Sequence, residues 1–330
     1  MKIIFISFCI AISLSGLGQN VTDELSKPTY LPSALIDGRF FLKMPTTNND
    51  TIVGFCDTGG GYTAIYYKTL QKLKLEAKIS IAEIKGEKIN FIFAKDLFDS
   101  EYVPYPTIAN YYKSDIDYPF FEIPDTSERI DLFSKYVPHD VFLGQFFFIN
   151  KSWTFDYKSG KLFVNTPVFA NATDENTQPI GFKKDREGNK RFGHPSMKIV
   201  VDGETIDVLF DTGATLLLGE NSEPEFGNKK ATGGSFIARS IFDIWHKQHP
   251  NWRVIEKGEA TGADIIEVPQ VKVGNLTAGP VWFAKRPNEA WSKGMIGSMD
   301  KVVKGAIGGS LLQYFKVSID YNSELIKFER

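Results

Sequence analysis

Apolar residues in this chain come in short runs separated by turn-forming residues, the pattern of a protein built mainly from β-strands. Met197 to Val201 and Thr205 to Phe210 are two such runs, and the Asp202-Gly203 pair between them predicts a tight hairpin. Lys158-Ser-Gly160 and Asn322-Ser323 predict two further strand–turn–strand units. Helical spacing occurs in few places. Thr63 to Leu75 places Tyr66, Leu70 and Leu73 on one face, and Ala238 to Lys247 does the same with Ile241, Phe242 and Trp245.

The runs repeat. Thr51-Ile-Val-Gly-Phe-Cys-Asp-Thr-Gly-Gly60 aligns with Thr205-Ile-Asp-Val-Leu-Phe-Asp-Thr-Gly-Ala214 at a constant offset, 211 − 57 = 154. Further on, Phe142-Leu-Gly144 aligns with Ala306-Ile-Gly308, and Trp153-Thr-Phe-Asp-Tyr157 with Val317-Ser-Ile-Asp-Tyr321, at 308 − 144 = 164. Similarity in a fixed order marks duplicated structural units. The polar, turn-rich stretch 166–179 reads as a linker. One β lobe is expected over 28–165 and a second over 180–330.

Length and charge narrow the class. A chain of 330 residues is long enough for two domains. A net charge of −2, with no long run of one sign, argues against nucleic acid as the main partner. Residues 1–18 read as a secretory signal: Lys2 is followed by the apolar run Ile3 to Leu14, and Gly16 and Gly18 suit cleavage after Gly18. The run is too short for a stable membrane anchor. Cys9 lies within that signal, so the mature chain keeps only Cys56 and forms no internal disulfide. A large exported chain without disulfides relies on its core, which suits a bacterial periplasmic or secreted protein. Asn171-Ala-Thr matters only if the host glycosylates.

The chemistry rests on the Asp-Thr-Gly pair. One such triplet is weak; two, each after an apolar strand and each followed by apolar-apolar-Gly, are specific. Gly59 and Gly213 allow a sharp turn and close backbone approach. Thr58 and Thr212 are suited to bond across a two-fold axis, bringing Asp57 and Asp211 together. Carboxylates that close cannot both ionise and share a proton. One then accepts a proton from water while the other donates to a scissile carbonyl.

On Phe55-Cys-Asp-Thr-Gly59 with Leu143-Gly144, and Leu209-Phe-Asp-Thr-Gly213 with Ile307-Gly308, the chain resembles the pepsin and retropepsin group of aspartic peptidases. The resemblance implies a mainly β, bilobal, pepsin-like fold with pseudo-two-fold symmetry and a few short helices. It implies that Leu143-Gly144 and Ile307-Gly308 pack beneath the catalytic loops. Because both triplets lie in one chain, it implies a monomer; the ligand is a peptide or protein substrate, with no cofactor and no metal. It also implies a flap, for which Lys85 and Gly86 in a hairpin, or Tyr102 and Tyr105, are the candidates. The sequence departs from the pepsin pattern where Ser or Thr usually follows Asp-Thr-Gly: Gly60 and Ala214 stand there. Loss of a donor to the charged form raises a carboxyl pKa, so activity is expected at milder pH than in pepsin-like enzymes.

Other chemistry is weaker. His246 and His249 share a helix face, but no Glu or Cys completes a zinc pattern, and a solvated face is expected. Trp245, Trp252, Trp282 and Trp291 are expected in packing roles. Cys56 should point away from the catalytic side as a small buried residue. Gly305-Ala-Ile-Gly-Gly309 fits the apolar-apolar-Gly element, not a nucleotide loop. The expected function is an exported aspartic endopeptidase. The alternatives on the same fold are a catalytically weak peptide- or protein-binding protein and a peptidase with one dedicated envelope substrate.

Overall fold

Asp202 and Gly203 both take positive φ, 50° and 80°, so the expected hairpin closes on a turn that only such residues tolerate well. The same local logic recurs along the chain in a computed structural model, which describes residues 28–84, 86–99, 103–104, 119–123, 136–166 and 175–330. The first half contributes β1 (Thr29–Leu31), β2 (Ser33–Ile36), β3 (Arg39–Pro45), β4 (Thr51–Cys56), β5 (Ala64–Tyr66), β6 (Ser80–Ile84), β7 (Glu87–Phe93), β8 (Pro119–Ile123), β9 (Val141–Leu143), β10 (Ser152–Asp156) and β11 (Lys161–Val164). The second half contributes β12 (Thr177–Pro179), β13 (Ser196–Val201), β14 (Glu204–Phe210), β15 (Thr215–Leu217), β16 (Ala231–Gly233), β17 (Ser235–Ala238) and β18 (Val254–Ile255). It continues with β19 (Ile265–Val268), β20 (Val271–Val273), β21 (Leu276–Ala278), β22 (Val281–Arg286), β23 (Gly305–Ile307), β24 (Lys316–Asp320) and β25 (Leu325–Glu329).

The fold is mainly β and two-lobed, and the lobes share one wiring. The first lobe's sheet runs β2-β3-β4-β9-β5-β8-β7-β6. The second lobe's sheet, read from its far edge, runs β21-β20-β13-β14-β23-β17-β22-β19-β18. Seven strands correspond in order: β3 with β13, β4 with β14, β9 with β23, β5 with β17, β8 with β22, β7 with β19, and β6 with β18. Strand directions agree too. β9 enters parallel to β4, and β23 enters parallel to β14. The second lobe adds the β15–β16 hairpin between its Asp-Thr-Gly and β17.

A third sheet, β1-β11-β10-β24-β25-β12, belongs to both lobes. At its centre β10 pairs antiparallel with β24, matching Trp153 with Ile319, Thr154 with Ser318 and Phe155 with Val317. Thr154 and Ser318 hydroxyls meet at 2.7 Å across this seam. Behind it one continuous core includes Trp153, Phe155, Phe210, Val317, Ile319 and Tyr321, all buried. Fully burying each such side chain stabilises by roughly 1.5–3 kcal/mol. Within 166–179, expected as linker, Thr177–Pro179 is a short edge strand on β25; residues 167–174, Asn171 among them, lie outside the described residues, as do 1–27.

One helix starts later than its spacing predicts. Thr63 to Leu75 is not helical throughout: Ala64–Tyr66 is β5, and the helix runs Tyr67–Leu73. β5 is sandwiched between β8 and β9, whose backbone groups outcompete the helical pattern. Leu70 and Leu73 are buried as the pattern requires, and the helix stops at Lys74 in the left-handed conformation. The second helix runs Arg239–Gln248 and buries Phe242 and Trp245. Among the described residues no helix is long and apolar enough to cross a membrane.

Candidate active site

Two strands end where the lobes meet. β4 runs into Asp57 and β14 into Asp211, each continuing an apolar strand to the molecule's centre. The apolar-apolar-Gly segments lie beside them. Asp57 N donates to Leu143 O at 3.0 Å, and Asp211 N donates to Ile307 O at 2.9 Å. Gly144 and Gly308 are needed for contact: an added Cβ would lie 2.6 Å from Tyr62 O and 2.5 Å from Gly234 O. Each loop then closes on itself, Gly60 N to Asp57 O at 3.1 Å and Ala214 N to Asp211 O at 3.2 Å.

The two threonines lock the loops together. Thr58 Oγ1 donates to Phe210 O at 2.9 Å and accepts from Thr212 N at 3.0 Å. Thr212 Oγ1 donates to Cys56 O at 3.0 Å and accepts from Thr58 N at 3.2 Å. Both threonines are buried, so these four bonds are shielded from competing water.

Gly59 and Gly213 take no positive φ; their role is close approach. A Cβ on Gly59 would lie 2.4 Å from Asp211 Cγ, and one on Gly213 would lie 2.2 Å from Asp57 Cγ. The two carboxyls share a hydrogen bond. Burial raises the pKa of both, and for Asp57 the neighbouring Asp211 charge adds to the rise. The amides of Gly59 and Gly60 face the Asp57 carboxyl and oppose that rise without cancelling it. Asp211 Oδ1 accepts from Gly213 N at 3.0 Å. Asp57 Oδ1 is buried without a hydrogen-bond partner among the described residues. One proton held between the half-buried Asp57 and the buried Asp211 carboxyls is the state this favours.

Gly60, read from sequence as a departure, has a local cause. A Cβ there would lie 2.4 Å from Phe142 Cε1 and 3.0 Å from Asp57 Cγ. The symmetry-related pair is Ala214 with Ala306. At these two positions the first lobe therefore has glycine and phenylalanine, in close approach, where the second has two alanines. Gly61 stands free, with nothing within 4 Å of a Cβ.

Two buried histidines, both overlooked in sequence, flank this assembly. His194 Nε2 lies 3.0 Å from Gly60 O, and its Nδ1 lies 2.9 Å from Ser298 Oγ. His139 bonds Tyr66 Oη at 2.9 Å and Val137 O at 2.5 Å. Burial lowers both imidazoles to about 4. The unfolded chain takes up a proton on each near pH 6.5, while the folded chain resists until about pH 4. Their contribution to stability is complete above pH 6.5 and declines as pH falls toward 4, by on the order of 3 kcal/mol for each ring. Ring-proton NMR checks this: both midpoints are expected near 4, and a ring titrating near 6.5 would contradict it. Only the His194-Pro195 dipeptide entering β13 marked the first of these residues in the sequence.

The remaining candidates sort cleanly. Gly86 turns the β6–β7 hairpin with φ 84° and open space around it. Lys85, Tyr102 and Tyr105 lie outside the described residues. Cys56 is a free buried thiol whose pKa burial raises. His249 bonds Asp202 at 2.9 Å and stacks on Trp252 at 4.0 Å, while His246 is exposed. Trp245, Trp282 and Trp291 are buried in the second lobe.

No protein-family model matches this chain, and no curated protein matches it. Among solved structures it is similar to a retropepsin-like aspartic protease from Rickettsia conorii, at 16% identity over 46% of this chain and 90% of that one, with a TM-score of 0.27. It is also similar to conglutin gamma, a basic 7S globulin from lupine seeds, at 10% identity over 92% and 95% of the two chains, with a TM-score of 0.42.

Proposed function

We propose that this chain is an aspartic endopeptidase, exported and acting as a monomer. The observation that carries the reading is the reciprocal threonine bonding that brings Asp57 and Asp211 into one proton-sharing pair. In this reading a water sits between the carboxyls and a peptide lies across them. The ionised carboxyl takes a proton from the water as its oxygen attacks the carbonyl carbon. The protonated carboxyl donates to the carbonyl oxygen, giving a tetrahedral diol. Collapse of the diol breaks the C–N bond: the departing amine takes the proton from one carboxyl, while a diol hydroxyl gives its proton to the other, so the pair again holds one proton. The roles belong to the pair, because coupled carboxyls titrate together.

On this reading the working range is expected at milder pH than in pepsin-like enzymes, which the raised carboxyl pKa values support. The fit of Gly60 against Phe142 supports an intact first loop and speaks against the weak-binder alternative. The test is cleavage of a peptide library by the mature chain between pH 2 and 8, beside Asp57→Asn and Asp211→Asn. Cleavage by the parent, lost by at least about a thousandfold in both variants, is expected. Cleavage that survives in both refutes the dyad, and an optimum near pH 2 refutes the pH reading. No cleavage of any peptide favours the binding protein.

A further inference from the structure

The first catalytic loop carries two consecutive glycines after Asp-Thr-Gly, yet it is held from outside its own lobe. Gly60 O accepts from Gln145 N at 3.2 Å and faces His194 Nε2 at 3.0 Å. A carbonyl only accepts, so Nε2 must carry the proton. His194 is 4% exposed and enters from the second lobe, 134 residues away in sequence. Next to it Gly193 N donates to Gln145 Oε1 at 2.7 Å, and a Cβ on Gly193 would lie 2.8 Å from Gln145 O. Pro195 O accepts from Phe210 N at 2.9 Å. Residues 193–195 therefore bond both the first catalytic loop and the strand that delivers Asp211.

The other loop is held differently. Ala214 O, the counterpart of Gly60 O, accepts from Gly234 N of its own lobe at 2.9 Å. Phe41 pairs with Phe55 as Ser196 pairs with Leu209, so the counterpart of His194 is Arg39, which is buried and donates to Ala231 O at 3.3 Å rather than to Ala214 O. The histidine strap serves only the loop with the extra glycines.

We infer that His194 is a positioning residue, which holds Asp57 in register with Asp211 through an Nε2–H bond to the Gly60 carbonyl. The inference deepens the endopeptidase reading and rests on it for its kinetic test. Gly60 packs against the Asp57 carboxyl, so freedom in the peptide after Gly60 becomes freedom in the carboxyl. The bond replaces, through the backbone, support that a hydroxyl after Asp-Thr-Gly gives elsewhere.

The experiment compares His194→Phe, which keeps an aromatic ring and removes the donor, with His194→Gln, whose amide nitrogen keeps a donor within reach. His194→Phe is expected to lower kcat by about 10–100-fold, with KM changed by less than about threefold, and His194→Gln to restore most of it. In the same proteins, carbon-13 NMR of labelled aspartates follows the dyad. In His194→Phe its titration should move down toward the ordinary carboxylate range, because a loosened loop admits water; in His194→Gln it should match the parent. This arm needs no turnover. If the parent cleaves nothing, the endopeptidase reading fails while the titration still decides the role of His194. Folded His194→Phe with parental kcat and parental dyad titration overturns the inference. If His194→Phe does not fold, nitrogen-15 NMR of the parent ring decides: the Nε2–H tautomer supports the bond, and the Nδ1–H tautomer excludes it.

Discussion

Asp57→Asn is expected to make this chain more stable at pH 7 than its parent. Both dyad carboxyls have pKa values raised by burial, so the folded state binds protons more tightly than the unfolded one. The stability this supplies is complete below the unfolded value near 4 and is lost as pH rises through the folded values. At neutral pH the parent must hold a negative pair in a buried site, with Asp57 Oδ1 left without a partner. An amide removes one ionisation and offers a donor to Asp211. The gain should be about 1–2 kcal/mol, the range common when a strained functional site is relieved, or a rise of several degrees in Tm. Melting curves from pH 4 to 8 test it. The difference between variant and parent should be small at pH 4 and widen toward pH 7. The histidines act in the opposite direction over this range but cancel in the difference. A difference that is constant, or that narrows, would show that the dyad is not held as described.

The second large effect belongs to Gly213→Ala. A methyl group there would lie 2.2 Å from Asp57 Cγ, a distance no real contact sustains. Either the loop or the carboxyl must move. The loop is pinned by Thr212 and the carboxyl by its buried setting, so the displacement costs stability of about 1–3 kcal/mol, as overpacking does. It also separates the dyad, and cleavage of any peptide the parent accepts should fall by at least about a hundredfold. Gly297→Ala is the matched control, since nothing lies within 4 Å of its Cβ and it takes no positive φ. Gly213→Ala as stable as that control would mean that the two loops are not in contact.

Much of the site was legible because its parts are repeated and local. Asp57, Thr58, Gly59 and their partners sit at one offset, and so do the two apolar-apolar-Gly segments. What escaped reading depends on contacts between distant segments. Gly60 looked like an anomaly until Phe142, 82 positions later (142 − 60), occupied the space of its missing side chain. His194 and Gln145 act across the lobe boundary, where no periodicity predicts a partner. The start of the first helix was misread for a related reason. Tyr66 satisfies both a helical and an extended pattern, and only the presence of β8 and β9 on either side decides.

The pairing of β10 with β24 carries a historical implication. Ser318 is the counterpart of Thr154 at the 164-residue offset, and the two residues face each other. Thr212 is likewise the counterpart of Thr58, and these two also meet. Residues that meet their own equivalents lie on a symmetry axis, so both contacts are self-complementary in the manner of an isologous dimer. A single half-length ancestor, pairing with a second copy of itself, could have made every one of these bonds. Within one polypeptide the halves are under no obligation to be identical. Gly60 with Phe142 on one side and Ala214 with Ala306 on the other is the kind of divergence that only a fused descendant can fix one half at a time.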